Sequence, residues 1–232
     1  MKKNLLFVAL LFVCLFLSAQ KTDVIKVANL ERYAESNEDL LSLGIKKHAV
    51  IFIGNSITEG WAKTRPEFFS SNNYIGRGIG GQTSPQMLLR FRQDVVSLEP
   101  EVVVINAGTN DIAENTGKYS LSFTLGNIKS MVEIAQANDI KVILTSVLPA
   151  GEFRWNQDIT DAPQKIDTLN KEIKSYAKKK GIPYVDYNTK MRKEDGSMKD
   201  GLSGDGVHPT EEGYQIMEQQ VKSVIDKVLK KK

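Results

Sequence analysis

The chain has little of what usually announces a catalytic or structural class. Of 232 residues one is cysteine and two are histidine. That excludes a disulfide framework, a zinc-binding cysteine or histidine cluster and an H-E-x-x-H helix. No serine stands in G-x-S-x-G, so the nucleophile elbow of the α/β-hydrolases is missing. Neither sign of charge dominates: 31 Lys and Arg stand against 28 Asp and Glu, which leaves no electrostatic footprint for nucleic acid. No internal repeat, low-complexity tract or linker interrupts the chain.

Long apolar runs are also lacking, apart from the thirteen residues Leu5 to Leu17. A membrane span needs about 20. Lys2 and Lys3 precede this run and Ser18-Ala19-Gln20 follows it, the layout of a secretory signal over residues 1 to 20. Phe12-Val13 before Cys14 lacks the small residue of a lipoprotein site, and cleavage near Ala19 or Gln20 would remove that cysteine. Lys and Arg would then number 29 against 28 Asp and Glu, a net charge of +1. The expectation is an exported protein, periplasmic or secreted, with no stable membrane span after cleavage and one domain over residues 21 to 232, long enough for a full α/β core.

Within that span, short Val- and Ile-rich runs alternate with segments of helical period, the pattern of a parallel sheet covered on both faces. The strands read as Ala49 to Ile53, Tyr74-Ile75, Val102 to Asn106, Val142 to Ser146, and Tyr184 to Asp186. Between them, Ser84 can cap a helix with Pro85 in its first turn and Met87, Leu88, Phe91 and Val95 on one face. Leu125, Ile128, Met131, Val132 and Ala135 form a second stripe. Ile166, Leu169, Ile173 and Tyr176 form a third, stopped by Gly181. A last helix begins at Thr210 and buries Tyr214, Met217, Val221, Val224 and Val228.

The two histidines differ in promise. His48 precedes the first strand, and eight residues of extended chain would hold it roughly 25 Å from Ser56. His208 lies in Asp205-Gly206-Val207-His208-Pro209, and Ser56 follows the first strand in Gly54-Asn55-Ser56. A serine needs a base to take its proton and a histidine needs a carboxylate to hold its tautomer. Asp205 and His208 could supply orienter and base from one segment. Ligands of an open parallel sheet bind beyond the carboxyl ends of its strands, where Ser56, Gly81, Asn110 and the Asp205 to His208 segment would gather.

Gly76-Arg77-Gly78-Ile79-Gly80-Gly81 contains the dinucleotide-binding spelling, but the next strand ends in Asn106 where the fingerprint wants an acidic residue. These glycines fit better as a loop whose backbone approaches a substrate, with Gly81 as an oxyanion donor. In Asn106-Ala107-Gly108-Thr109-Asn110-Asp111, Asn110 could aim its amide at an oxyanion or bond its own turn. Asp111 reads as a loop anchor.

Four runs, Gly54-Asn55-Ser56 with Ile57-Thr58-Glu59-Gly60-Trp61, Gly78-Ile79-Gly80-Gly81-Gln82-Thr83, Gly108-Thr109-Asn110-Asp111 and Asp205-Gly206-Val207-His208-Pro209, resemble in order the four blocks of the SGNH (GDSL-type) hydrolases. The likeness runs from Val50 to Gly213. The first three runs are most similar to the branch that includes the platelet-activating-factor acetylhydrolase catalytic subunits and many bacterial secreted acylesterases. The resemblance implies a flavodoxin-like three-layer α/β/α sandwich with a five-stranded parallel sheet. It implies Ser56 as nucleophile, His208 as base and Asp205 as its orienter. The oxyanion donors would be the Ser56 backbone, Gly81 and Asn110, with neither cofactor nor metal. Asn55 stands where the family usually has aspartate.

The expected activity is a serine esterase for acetyl or other short acyl groups on a small-molecule ester, an acetylated carbohydrate first. The loops Leu148 to Asn156 and Lys193 to Gly204 offer no continuous apolar wall for a long chain. Two other readings are a lysophospholipase, and a non-catalytic carbohydrate-binding module using Trp61, Phe153 and Trp155 as stacking surfaces. Trp61 reads rather as core packing in the helix after the nucleophile, since tryptophan is usually mostly buried.

Overall fold

The computed structural model describes residues 23–43 and 49–230, so the proposed signal segment and His48 lie outside the described residues. Five strands, β1 Val50–Gly54, β2 Tyr74–Gly78, β3 Val102–Ile105, β4 Lys141–Thr145 and β5 Tyr184–Val185, form one sheet in the order β2-β1-β3-β4-β5. Every neighbouring pair is parallel. This is the flavodoxin-like order, in which the chain reverses direction between β1 and β3. The described helices are α1 Val24–Ala28, α2 Ala34–Leu43, α3 Ser56–Thr64, α4 Pro66–Ser70, α5 Ser84–Asp94, α6 Thr109–Ile112, α7 Leu121–Gln136, α8 Ala162–Lys180, α9 Tyr187–Met191 and α10 Glu211–Lys230.

The strands are continuous apolar runs because both of their faces are buried. Ile51, Ile53, Val103, Ile105, Val142 and Leu144 point to the layer built from α5, α7 and α8. Val50, Phe52, Val102, Val104, Ile143 and Val185 point to the layer of α3, α4 and α10. The alternation is the strand's two-residue period at work, and it makes a three-layer α/β/α sandwich.

Most residues of the expected stripes are buried as read, although Leu88 and Tyr176 are only partly so, and two further differences stand out. Thr83, not Ser84, caps α5: its backbone N–H and the side chain of Gln86 complete a capping box, because the Ser84 hydroxyl is taken by Asp111. In α10, Ile225 is fully buried and Val224 only partly. One part of the fold had no counterpart in the sequence reading. Residues 23–43 form a strap over α5 and the end of β2, held by polar side chains. Gln86 Nε2 donates to the Val27 carbonyl (2.8 Å), Gln82 Nε2 to that of Ala28 (2.7 Å) and Gln93 Nε2 to that of Leu30 (2.6 Å). Only Ala28 and Asn37 of its helices are buried, so it carries no apolar period to read.

Trp61 is core. Its ring stacks between Phe68 (5.4 Å) and Tyr214 (5.8 Å), and its indole Nε1 donates to Glu218 at 3.2 Å. Truncation would open a large cavity under α3. Trp61→Ala should therefore cost about 3–5 kcal/mol, lowering the thermal midpoint by roughly 6 to 20 °C. A thermal melt that shifts by less than about 2 °C would contradict this packing.

Candidate active site

The carboxyl ends of the strands bring the expected residues together. Gly54 closes β1, and Asn55 caps α3 by accepting the Ile57 N–H on Oδ1 (2.9 Å). Ser56 is thereby the first helical residue, and its own N–H is one of the first-turn donors that have no acceptor inside the helix. Gly54 pairs with Gly78 across the sheet. A Cβ on Gly78 would meet the Glu59 backbone nitrogen at 2.1 Å, so only glycine lets α3 lie this close to β2. The Asn55 Nδ2 atom is buried without a hydrogen-bond partner among the described residues. An aspartate oxygen would stand there in the usual family pattern.

Ser56 Oγ lies 2.8 Å from His208 Nε2, and His208 Nδ1 lies 2.6 Å from Asp205 Oδ2. The other carboxylate oxygen accepts the backbone N–H groups of Val207 (2.9 Å) and His208 (2.8 Å) and the Ser203 hydroxyl (3.1 Å). One carboxylate thus folds its own turn and holds the imidazole. Partial burial works to raise the Asp205 pKa, but the backbone and ring donors of His208 and the Val207 N–H outweigh it and hold the carboxyl well below the usual range. Asp205 is therefore an anion at neutral pH. It favours the tautomer with hydrogen on Nδ1, which turns the Nε2 lone pair to the serine.

Gly81, with φ +75°, sits in the loop between β2 and α5. That loop is anchored where Gly80 N donates to Glu59 Oε2 at 2.8 Å. Glu59 lies one turn beyond Ser56 and also bonds Lys63 (2.8 Å) and Arg32 (3.1 Å). Burial opposes its ionisation, yet these three donors bring its pKa below the ordinary carboxylate value. Asn110 does not bond its own turn. Its Nδ2 donates to the Gln82 carbonyl at 3.0 Å, which leaves the second amide hydrogen available. Asp111 anchors the loop, accepting Ser84 N (2.9 Å) and Thr124 Oγ1 (3.2 Å). Burial raises its pKa against the pull of these bonds.

Beneath the site lies Arg90, which has no exposed surface. It donates to the Gly54 carbonyl (2.9 Å), Gln82 Oε1 (2.6 Å) and Asp94 (2.9 Å). Sequence reasoning passed over Arg90, Gln82 and Glu59. The signal was present for Arg90: Met87, Arg90, Phe91 and Asp94 follow the spacing of one helical face, so a charged pair had to share the buried stripe. Of the three aromatic residues weighed as stacking surfaces, Trp61 and Phe153 are buried and Trp155 is 48% exposed. Among the described residues, no three His, Cys, Asp or Glu side chains could share a metal ion, and no helix is long and apolar enough to cross a membrane.

Residues 52–216 match the GDSL-like Lipase/Acylhydrolase family. The chain is similar to the crystal structure of a GDSL-like lipase from Bacteroides thetaiotaomicron, at 57% identity over 87% of this chain and 98% of that one, with a TM-score of 0.84. It is 24% identical to an acetylxylan esterase of Xylanibacter ruminicola over 76% of this chain, spanning 42% of that longer protein. It is 22% identical to an isoamyl acetate-hydrolyzing esterase of Saccharomyces cerevisiae over 76% of this chain and 85% of the relative.

The geometry predicts the behaviour of Asp205→Asn. The amide would keep an oxygen for the backbone N–H groups of Val207 and His208 but present N–H to the imidazole, turning the ring to the wrong tautomer. Turnover of p-nitrophenyl acetate should fall about 10⁴-fold with the fold retained by circular dichroism. A loss of less than about tenfold would mean that the carboxylate does not set the tautomer.

Proposed function

The chain belongs to the GDSL-like lipase/acylhydrolase family, and from that premise we propose that it is an exported serine esterase removing acetyl or other short acyl groups from polar alcohols, carbohydrates first. The observation that carries the reading is the unbroken chain from Asp205 through His208 to Ser56 Oγ, with links of 2.6 and 2.8 Å.

In this reading Ser56 Oγ attacks the ester carbonyl while His208 Nε2 takes its proton. The oxyanion that forms is met by the backbone N–H groups of Ser56 and Gly81 and by the free amide hydrogen of Asn110. Such donors count because they are aimed before the charge appears, each contributing on the order of 3 kcal/mol. The imidazolium, steadied by the anionic Asp205, returns its proton to the leaving alkoxide. Water activated by His208 then attacks the acyl-Ser56 ester and releases the acid.

The surroundings favour a small acyl group. The two clefts beside the triad are lined by Gln82, Asn115 and Thr116 on one side and by Arg154, Lys193 and Asp200 on the other. An apolar cleft lined by Val142, Ile182, Val224 and Val228 lies at the amino ends of β4 and β5, away from Ser56. Each CH₂ of a long chain contributes about 0.8 kcal/mol only when it is buried, and the described residues that line these two clefts are mostly polar or glycine. The names of two relatives, an acetylxylan esterase and an isoamyl acetate-hydrolyzing esterase, support the same choice. Export rests on the composition of residues 1 to 20.

Across p-nitrophenyl esters, kcat/KM should peak between acetate and butyrate and fall by decanoate. A rise through decanoate would favour a lysophospholipase. Ser56→Ala and His208→Ala should each lower kcat by as much as about 10⁶, with the double variant scarcely worse, because the groups act as a unit. Full activity in either single variant would overturn the reading.

A further inference from the structure

Trp155 is the exposed aromatic of the site, and the esterase chemistry above gives it no task. It lies on the loop leaving β4, over the fully buried Phe153 (5.3 Å between ring centroids). Its ring centroid is 6.4 Å from that of the His208 imidazole, tilted by 37°. Its polar edge is already committed, since Nε1 donates to Asn115 Oδ1 at 2.9 Å. Asn115 Nδ2 in turn donates to the Gly81 carbonyl at 3.1 Å. The indole is thus fixed in orientation and tied to the loop of the proposed oxyanion donor, while nearly half of it faces solvent.

Between Trp155 and Gly81 lies an open cleft of about 460 Å³, with Gln86, Glu114, Asn115, Thr116 and Asn156 around it. That volume lies within the roughly 300–1,000 Å³ of small-molecule sites. We propose that this cleft seats the alcohol part of the ester, and that the alcohol is a sugar whose ring lies on the Trp155 face. The inference rests on the esterase reading.

The direction follows from the chemistry. The leaving oxygen must take its proton from His208 Nε2, so the body of the alcohol departs past the imidazole, where the exposed indole stands. A pyranose ring has an apolar C–H face and a rim of hydroxyl groups. The cleft offers one aromatic wall and a ring of amide, hydroxyl and carboxylate groups, which matches both. A fatty alcohol would meet a single apolar wall and displace water from the polar rim without replacing its hydrogen bonds. Because the indole is held by Asn115 and Phe153, little side-chain freedom is lost on binding.

The test compares two acetyl esters on the full chain: ethyl acetate, whose alcohol is too small to reach Trp155, and a methyl pyranoside carrying one acetyl group. Trp155→Ala should lower the ratio of kcat/KM for the sugar ester to that for ethyl acetate by about tenfold or more, mainly through KM. Trp155→Phe should recover most of the ratio. A second readout needs no turnover. The chain has two tryptophans and Trp61 is buried, so emission of the Ser56→Ala protein titrated with the sugar ester should change and saturate. The change should vanish when Trp155→Phe is added. An unchanged ratio in Trp155→Ala, an equal fall for both esters, or emission indifferent to the sugar ester would each overturn the proposal. Retained hydrolysis by Ser56→Ala would instead defeat the esterase reading, and the emission titration would still decide whether the cleft holds a sugar.

Discussion

A fully buried cation, Arg90, sets the frame of the site. The guanidinium of Arg90 is wholly out of water, which is costly unless every donor finds a partner. Its partners are the Gly54 carbonyl, two residues before Ser56, and the Gln82 side chain; the backbone carbonyl of the same Gln82 orients the Asn110 amide. Asp94 balances the charge within the same helix. Removing one member of such a group leaves a charge uncompensated at about 3–5 kcal/mol, so the loop bearing Ser56 and the loop bearing Gly81 and Gln82 are held in one register. The strap at residues 23–43 closes this network from outside, through Asn37 to Asp94 (2.7 Å) and Arg77 to Asn37 (2.9 Å).

Electrostatics then divides the labour among the carboxylates. Asp205, rich in donors, stays ionised and can steady a positive imidazole. Glu59, one helical turn from Ser56, spends its charge on Gly80 and two cations, fixing the glycine loop without facing the reacting atoms. Asp111 is buried enough that its pKa is raised, and it serves as an acceptor for the backbone and hydroxyl of Ser84.

The sheet was legible because its strands are fully buried: Val50 to Ile53 and Val102 to Ile105 admit few other readings at that length and composition. The helices α7 and α8 were legible from their apolar stripes, and Gly181, at φ +68°, ends α8 where its sequence position suggested. The meeting of Ser56, His208 and Asp205 was reachable because Ser56 follows β1 and the Asp205–His208 segment follows β5, and topology sends the carboxyl ends of the strands to one edge. What escaped was polar. The strap at residues 23–43 is held by side-chain amides reaching backbone carbonyls, and such bonds leave no period, while the Arg90 network showed in the sequence only as a charged pair on the apolar stripe of α5. That the Asn110 amide bonds the backbone carbonyl of Gln82 and not its own turn could not be read from the spacing. The split of the aromatics into buried Trp61 and Phe153 and exposed Trp155 depends on packing that spacing alone does not reveal.

The account stands on Ser56 being made nucleophilic by His208. The most direct measurement is intact-mass and peptide-mapping analysis after brief exposure to a serine-directed fluorophosphonate. It should show one adduct per chain, on Ser56, formed far more slowly in the His208→Ala protein and at an ordinary rate in His48→Gln. An adduct on another serine, or labelling of Ser56 at the same rate without His208, would contradict it.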